Sequence, residues 1–381
     1  MMISYGRQHI DNEDIKSVTK ALKDDLITTG SRVLKFENLL KKYVGSKYAI
    51  SCNSGTSALF MAVLALNLRK NSNIIIPAIN FIAAANISKH FGYNIFFSDV
   101  DKNTNQISKR EILNCIKKNK IKKIDLIFTM HLGGNAENIE EIYKLKKKLK
   151  CYVIEDACHS LGSTYFLNKK KYFVGNSKHC DITTFSFHPL KTITTGEGGA
   201  ITTNNKFLAD KVFLLRSHGI KGKKNMQYDV ISYGFNFRLS DLNCALGITQ
   251  IKKINKILNY RKKLFKYYLN NLNNYKNVIQ FINDNYKYSS CHLAIVKINF
   301  KKLKISKKIF FQKLKKKKIL CQFHYIPQYK FKFYFSNKNF INAEDYYRNC
   351  ISLPIHLLIN NKQIKYIISE IKKIIDQCLN K

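Results

Sequence analysis

Short apolar segments that alternate with helix-length segments are the feature that most constrains how this chain can fold. From Tyr48 the sequence reads YAISC, then the small-residue turn NSGTS and the apolar run ALFMAVLAL, which predicts a strand, a turn and a helix. The strand-like segments YNIFFSDV, KIDLIFTM and CYVIEDA follow, with charged helical stretches between them. Strands spaced by helices are typical of βαβ units, so the sequence predicts an α/β fold with a mostly parallel sheet and helices on both faces.

The pattern changes after a helical stretch that runs from Leu239 to about Leu272. The following loop is rich in Tyr, Asn and Lys, and beyond it the strand-like segments HLAIVKINF and ILCQFHY flank a short helical segment. We therefore predict a large domain over residues 1–272, which includes the N-terminal segment, and a smaller α/β domain over residues 273–381.

Neither a targeting segment nor a membrane span is predicted. The start MMISYGRQHIDNED has no apolar core, and the longest apolar run, Ala58 to Leu66, is far shorter than the roughly 20 residues that a span needs. The ten cysteines are scattered, with no CxxC pair and no zinc-ligand spacing to histidine. These features predict a soluble cytoplasmic protein with free thiols and no structural metal.

The formal net charge of +41 raises the question of nucleic-acid binding. Only eight of the 66 basic residues are arginine, and the lysines lie along the whole chain. A nucleic-acid site would favour arginine for paired contacts to bases and would concentrate charge on one element. The sequence therefore favours a general lysine bias, with a non-catalytic nucleic-acid-binding protein as the distant alternative.

Asp156 ends the buried-type strand segment CYVIEDA. Ligands of open α/β sheets bind at the carboxyl ends of the strands. A carboxylate at that place can pair with a protonated ring nitrogen and keep a pyridinium charged, so that the ring accepts electrons. The alternative is that Asp156 caps a following helix.

Lys191 lies among Ser, Thr and Gly in the run FSFHPLKTITTGEGG, away from the lysine-rich stretches. An amine beside a cationic cofactor loses its proton more readily and can form a Schiff base. Ser186 can offer a hydroxyl to a phosphate.

In NSGTS, the backbone amides of Gly55 and Thr56 open a helix and predict an anion site, although Ser and Thr there can also be simple caps.

These three parts occur within a longer series of segments that resembles one family from end to end. The chain resembles the DegT/DnrJ/StrS class of sugar-nucleotide aminotransferases, which have the fold-type I pyridoxal-phosphate fold and act as homodimers. The resemblance rests on YGRQHIDNEDI, TTGSRVLKFE, NSGTSAL, NFIAAANI, HLGGNAENIEEI, EDACHSLGS, FSFHPLKTITTGEGG, LRSHGI, GFNFRLSDLNCALGITQI, FHYIPQY and AEDYYRNCISLPIH.

The resemblance implies pyridoxal 5'-phosphate as the cofactor and a role for each matching residue. Lys191 would form the Schiff base and move the proton, and Asp156 would pair with the pyridine nitrogen. The other implied residues are His159 near the phenolic oxygen of the cofactor, Phe81 on its ring, Gly55, Thr56 and Ser186 at its phosphate, Asn236 reaching that phosphate from the other subunit, and His324 and Tyr325 near the sugar nucleotide. By residue type alone, His159 and Phe81 could instead be ordinary packed side chains.

Within the class, the sequence is most similar to the C4 aminotransferases of pseudaminic acid biosynthesis. This similarity implies that L-glutamate donates an amino group to C4 of a UDP-linked 2-acetamido-2,6-dideoxy-4-hexulose. Relatives that dehydrate sugars have histidine in place of the lysine, so Lys191 favours transamination. A C4 aminotransferase of the 4-amino-arabinose or perosamine type is the nearer alternative.

Overall fold

The computed structural model describes residues 2–222, 228–282, 284–336 and 339–380. Its helices are α1 (Asn12–Ala21), α2 (Ser31–Val44), α3 (Gly55–Ala65), α4 (Ala83–His90), α5 (Lys109–Lys118), α6 (Ile139–Leu149), α7 (Lys206–Arg216), α8 (Asp241–Lys252), α9 (Ile254–Leu272), α10 (Phe300–Leu303), α11 (Lys307–Lys316), α12 (Ile341–Asn349) and α13 (Asn361–Leu379). Its strands are β1 (Tyr48–Cys52), β2 (Asn73–Pro77), β3 (Asn94–Ser98), β4 (Leu126–Met130), β5 (Tyr152–Asp156), β6 (Thr164–Leu167), β7 (Lys170–Phe173), β8 (Ile182–Ser186), β9 (Gly199–Thr203), β10 (Ile220–Lys221), β11 (Asp229–Val230), β12 (Ile279–Phe281), β13 (Ala294–Ile298) and β14 (Cys350–Leu353).

The largest sheet in the described residues has seven strands in the order β1-β9-β8-β5-β4-β2-β3. Strands β3, β2, β4, β5 and β8 pair in parallel, whereas β9 is antiparallel to both of its neighbours. The predicted α/β fold with a mostly parallel sheet is therefore confirmed.

Both faces of this sheet are covered, which explains why a strand such as β2, with the sequence NIIIP, carries an uninterrupted apolar run. On β2, Ile74 and Ile76 belong to a core built with α3, α4 and α7. Ile75 points to the opposite face, where it packs with Ile112 of α5 and Ile142 of α6. The alternation of Cβ directions along a strand thus assigns neighbouring isoleucines to two different layers.

The C-terminal part has its own three-stranded antiparallel sheet, β12-β13-β14. Side chains of α9, such as Phe265 and Tyr268, share a core with this sheet and with α13. HLAIVKINF forms β13 as predicted, but ILCQFHY makes only isolated bridges, from Ile319 to Ile3 and from Gln322 to Ser352. The boundary between residues 272 and 273 stays a prediction.

The sheet topology brings three chain segments to one edge. β4 ends at Met130, β5 ends at Asp156 and β8 ends at Ser186, and the register pairs Met130 with Asp156 and Asp156 with Thr184. Because these strands are parallel, their carboxyl ends form one rim, and α3 begins beside it.

Among the helices of the described residues, none combines the length and the apolar character needed to span a bilayer.

Candidate active site

A cavity of about 390 Å³ lies at the carboxyl ends of β4, β5 and β8. Nine of the predicted site residues line it, although they come from segments spread over most of the chain. They are Gly55, Thr56, Phe81, Asp156, His159, Ser186, Lys191, His324 and Tyr325. The fold therefore brings together side chains that the sequence identified one by one, while the role of each remains a prediction.

Lys191 is half-buried in the loop that follows β8. Its backbone N–H donates to the carbonyl of His188 at 2.8 Å. Farther along the same loop, the side-chain Nδ2 of Asn243 donates to the carbonyl of Thr195 at 2.6 Å. Burial lowers the pKa of the Lys191 amine, although the nearby Cys158 and Asp156 raise it. A lowered pKa increases the fraction of free amine, which is the nucleophilic form.

Asp156 is 3% exposed at the end of β5. Its Oδ1 accepts the backbone N–H of Cys158 at 3.1 Å. Residues 157–163 form turns in the structure and contain no helix, so the interpretation of Asp156 as a helix cap is wrong. A carboxylate fixed between two parallel strands and facing the cavity can act as a counter-ion for a bound cation.

The N-terminus of α3 forms the third side of the cavity. Ser54 caps the helix by accepting the N–H of Ser57 at 3.0 Å, while the N–H groups of Gly55 and Thr56 have no acceptor among the described residues. A Cβ on Gly55 would lie 2.8 Å from the Cβ of Ser186. Only glycine lets the helix start this close to β8, where orphan amides and a hydroxyl together suit an anion.

Three buried histidines lie together on the side of the C-terminal part: His159, His292 and His324. The rings of His159 and His292 are 4.3 Å apart, and those of His159 and His324 are 6.2 Å apart. Burial, with a contribution from the positive charge of Lys191, lowers the pKa of His159 and His292 well below the usual range and that of His324 to about 3. All three imidazoles are therefore neutral near pH 7.

His292 and Tyr5 line the cavity but were missed from the sequence. His292 lies two residues before the start of β13, and nothing in HLAIVKINF distinguishes it from a polar strand end. Its Nδ1 is buried without a hydrogen-bond partner in the described part of the chain. The Tyr5 ring is 5.3 Å from that of His324, and its position at the start of the motif YGRQHIDNEDI could have indicated it.

Phe81 and Asn236 differ in how they relate to the cavity. Phe81 is 51% exposed and its ring lies 5.8 Å from that of Tyr325, which excludes the interpretation as a core residue. Asn236 is exposed, and its carbonyl accepts from Asn53 Nδ2 at 3.4 Å. It does not line the cavity of this single chain, and its reach into another subunit stays a prediction.

The chemistry of these residues fits pyridoxal phosphate. The orphan amides of α3 with Ser186 suit its phosphate, Asp156 suits its ring nitrogen and Lys191 suits its carbonyl carbon. In addition, His292 lines this cavity, and its Nδ1 is buried with no hydrogen-bond partner in the described residues. A bound molecule can therefore supply the hydrogen bond that this atom lacks.

Comparisons with known proteins agree with this chemistry. A sequence model of the "DegT/DnrJ/EryC1/StrS aminotransferase family" matches residues 8–372. A UDP-4-amino-4,6-dideoxy-N-acetyl-beta-L-altrosamine transaminase of Campylobacter jejuni is 39% identical over 371 residues, which cover 96% of each chain. The structure of Helicobacter pylori PseC, an aminotransferase of pseudaminic acid biosynthesis, is similar with a TM-score of 0.90 and 31% identity over 99% of this chain and 100% of that one. The structure described as "Putative sugar aminotransferase Spr1654 from Streptococcus pneumoniae, PMP-form" has the same fold, with a TM-score of 0.90 at 24% identity over 100% of this chain and 99% of that one.

Proposed function

Because the chain belongs to the DegT/DnrJ/EryC1/StrS aminotransferase family, we propose that it transfers an amino group from L-glutamate to C4 of a UDP-linked 2-acetamido-2,6-dideoxy-4-hexulose. The chain is a sugar aminotransferase of fold-type I, and pyridoxal phosphate is its cofactor. The proposed acceptor and the place in pseudaminic acid biosynthesis are supported by the transaminase from Campylobacter jejuni and by PseC.

Pyridoxal phosphate, when bound, supplies a carbonyl that condenses with amines and a ring that accepts electrons. In our proposal the amides of Gly55 and Thr56 and the hydroxyl of Ser186 hold its phosphate. Asp156 pairs with the ring nitrogen, and Phe81 lies against the ring. Each of these residues lines the one cavity, so a single molecule can engage all of them.

Lys191 carries the covalent and acid–base work in this proposal. Its Nζ must first lose a proton, which burial favours by lowering its pKa. The same nitrogen then takes a proton from the donor amino acid and later returns one to the sugar, so a side chain without a nucleophilic, protonatable nitrogen cannot replace it. The single observation that supports this most strongly is that Lys191, Asp156 and the start of α3 share one cavity.

We expect the enzyme to work as a cytoplasmic homodimer. Asn236 is exposed and outside the cavity of its own chain, as a residue that serves a partner's phosphate site would be. All ten cysteines are free thiols in the structure, which suits a reducing compartment. The formal net charge of +41 on the chain would attract the anionic diphosphate of the substrate.

The alternative acceptors have support from more distant relatives. A GDP-perosamine synthase of Escherichia coli O157:H7 is 30% identical over 344 residues, and a UDP-4-amino-4-deoxy-L-arabinose aminotransferase of Shewanella sediminis is 26% identical over 388 residues. These values are lower than those of the altrosamine transaminases, which is why we place the UDP-linked N-acetylhexulose first.

Product analysis tests the proposal. The purified holoenzyme is incubated with L-glutamate and, in separate reactions, with the UDP-linked N-acetyl-4-hexulose, a UDP-linked 4-keto-pentose and a GDP-linked 4-keto-6-deoxyhexose. We expect turnover with the first and a 4-amino product by NMR. Lys191→Ala should abolish it, whereas Lys256→Ala, at an exposed lysine of α9, should not. Faster turnover of either other sugar would overturn the proposed acceptor.

A further inference from the structure

His159 has both of its ring nitrogens engaged within the protein. Its Nδ1 accepts the backbone N–H of Gly133 at 3.4 Å, and its Nε2 lies 2.9 Å from the hydroxyl of Tyr325. The carbonyl of Gly133 accepts the N–H of Leu293 at 3.1 Å. This hydrogen bond holds the turn from which the N–H of Gly133 reaches the imidazole. Neither ring nitrogen of His159 is therefore free to form a hydrogen bond with a molecule in the cavity.

The partners determine the direction of these hydrogen bonds. An amide N–H can only donate, so Nδ1 of His159 is the unprotonated nitrogen. Burial keeps the ring neutral by lowering its pKa, and a neutral imidazole with a bare Nδ1 carries its proton on Nε2. Nε2–H therefore donates to Tyr325, whose oxygen accepts.

A hydroxyl that accepts from Nε2 must send its own proton elsewhere. Burial raises the pKa of Tyr325 well above the usual range, so the phenol keeps that proton. No other hydrogen-bond partner of the Tyr325 hydroxyl occurs in the described ranges of the chain, and Tyr325 lines the cavity beside Lys191 and Asp156. The only direction left for the O–H is into the cavity.

We propose that Tyr325, oriented by His159, is the hydrogen-bond donor to the phenolic oxygen of the bound cofactor, and that His159 is a positioning residue. This inference rests on the proposed cofactor site and reassigns the contact that the resemblance implied for His159. The chain of donors runs from the amide of Gly133 through the imidazole of His159 to the phenol of Tyr325.

A donor to that oxygen has a spectroscopic consequence. A hydrogen bond to the oxygen anion stabilises the deprotonated form of the Lys191-dependent chromophore, so its loss raises the pH at which the absorption band titrates. The groups that face the two side chains, and whose charge could also move this titration, are Lys191, His292 and His324 around His159 and Asp156, Cys158 and Tyr5 around Tyr325.

The experiment is a pH titration of the absorption band in reconstituted holoenzymes. We expect Tyr325→Phe and His159→Leu each to raise the midpoint by about one pH unit, the size that a hydrogen bond to a charged oxygen would give. The double variant should shift no further than either single one, because both remove the same donor. His159→Gln should keep the wild-type midpoint, since its amide oxygen can accept from Gly133 and its NH₂ can donate to Tyr325.

Two other outcomes separate the possible failures. If His159→Leu moves the midpoint and Tyr325→Phe does not, His159 contacts the cofactor directly and our inference is wrong. It is equally wrong if neither variant moves the midpoint. If wild type shows no band that depends on Lys191, the proposed function itself fails, which is a different result from a band that the variants leave in place.

Discussion

At the scale of single residues, burial sets the protonation states that the site requires. Lys191 and the three histidines are all shifted toward their neutral forms, because burial disfavours the charged form of each group. The sequence could identify Lys191 and Asp156, since each lies in a distinctive run. It could not show which nitrogen of His159 carries a proton, because that depends on Gly133 and Tyr325, which are distant in the chain.

The buried histidines also make the fold sensitive to acid. His324 has a pKa lowered to about 3 and His356 one lowered to about 4, both chiefly by burial. The unfolded chain therefore takes up protons from about pH 6.5 downward, while the folded chain does not until it reaches those values. We expect the free energy of unfolding to fall by about 1.4 kcal/mol per pH unit for each such histidine over this range.

Urea denaturation at several pH values measures this loss. His324→Asn should flatten the dependence between about pH 6 and pH 4, because one buried base is removed. His90→Asn, at an exposed histidine of α4, serves as the matched control and should leave the slope as in wild type. An equal slope in wild type and His324→Asn would show that His324 is protonated in the folded protein.

At the scale of elements, the predictable part of the fold is the part with local periodicity. The strands and helices around β1, β4 and β5 were recognisable because each buried strand is a short apolar run bounded by turns. ILCQFHY was misjudged as a strand. Two of its residues, Ile319 and Gln322, make separate bridges to Ile3 of the N-terminal segment and to Ser352 of β14, and no local pattern encodes such long-range pairings.

The approach of α3 to the end of β8 is the element-scale feature most open to test. Gly55→Ala would place a Cβ 2.8 Å from the Cβ of Ser186, which pushes the amides and the hydroxyl apart. We expect the dissociation constant for pyridoxal phosphate to rise at least about tenfold, a loss of roughly 1.4 kcal/mol. A titration followed by absorbance measures it.

Gly6→Ala is the control for this substitution. Its added Cβ would meet the side chain of Leu190 at an ordinary 3.7 Å, so cofactor affinity should be unchanged. If Gly55→Ala binds pyridoxal phosphate as tightly as Gly6→Ala does, the start of α3 is not the phosphate site.

At the scale of the whole molecule, we propose that the site is completed by a second subunit. A dimer in which Asn236 of each chain completes the partner's site can be recognised by complementation between two inactive variants. Lys191→Ala and Asn236→Ala homodimers should each be nearly inactive. Mixing the two variants through an unfolded or dissociated state produces heterodimers in which one site has both an intact Lys191 and an intact Asn236.

With equal amounts and random pairing, roughly a quarter of wild-type activity should return, because half of the dimers are mixed and each has one intact site. The measurement is the initial rate of amino transfer after mixing, compared with the sum of the two unmixed variants. No gain over that sum would show that Asn236 acts within its own chain or not at all.

The absorption spectrum of the protein with pyridoxal phosphate, for wild type, Lys191→Ala and Lys256→Ala, tests the central claim most directly. We predict a band near the visible edge in wild type and Lys256→Ala that L-glutamate converts to the amine form, and no such band in Lys191→Ala. A band of equal strength in Lys191→Ala, or none in wild type, would contradict the assignment of Lys191 as the residue that binds the cofactor.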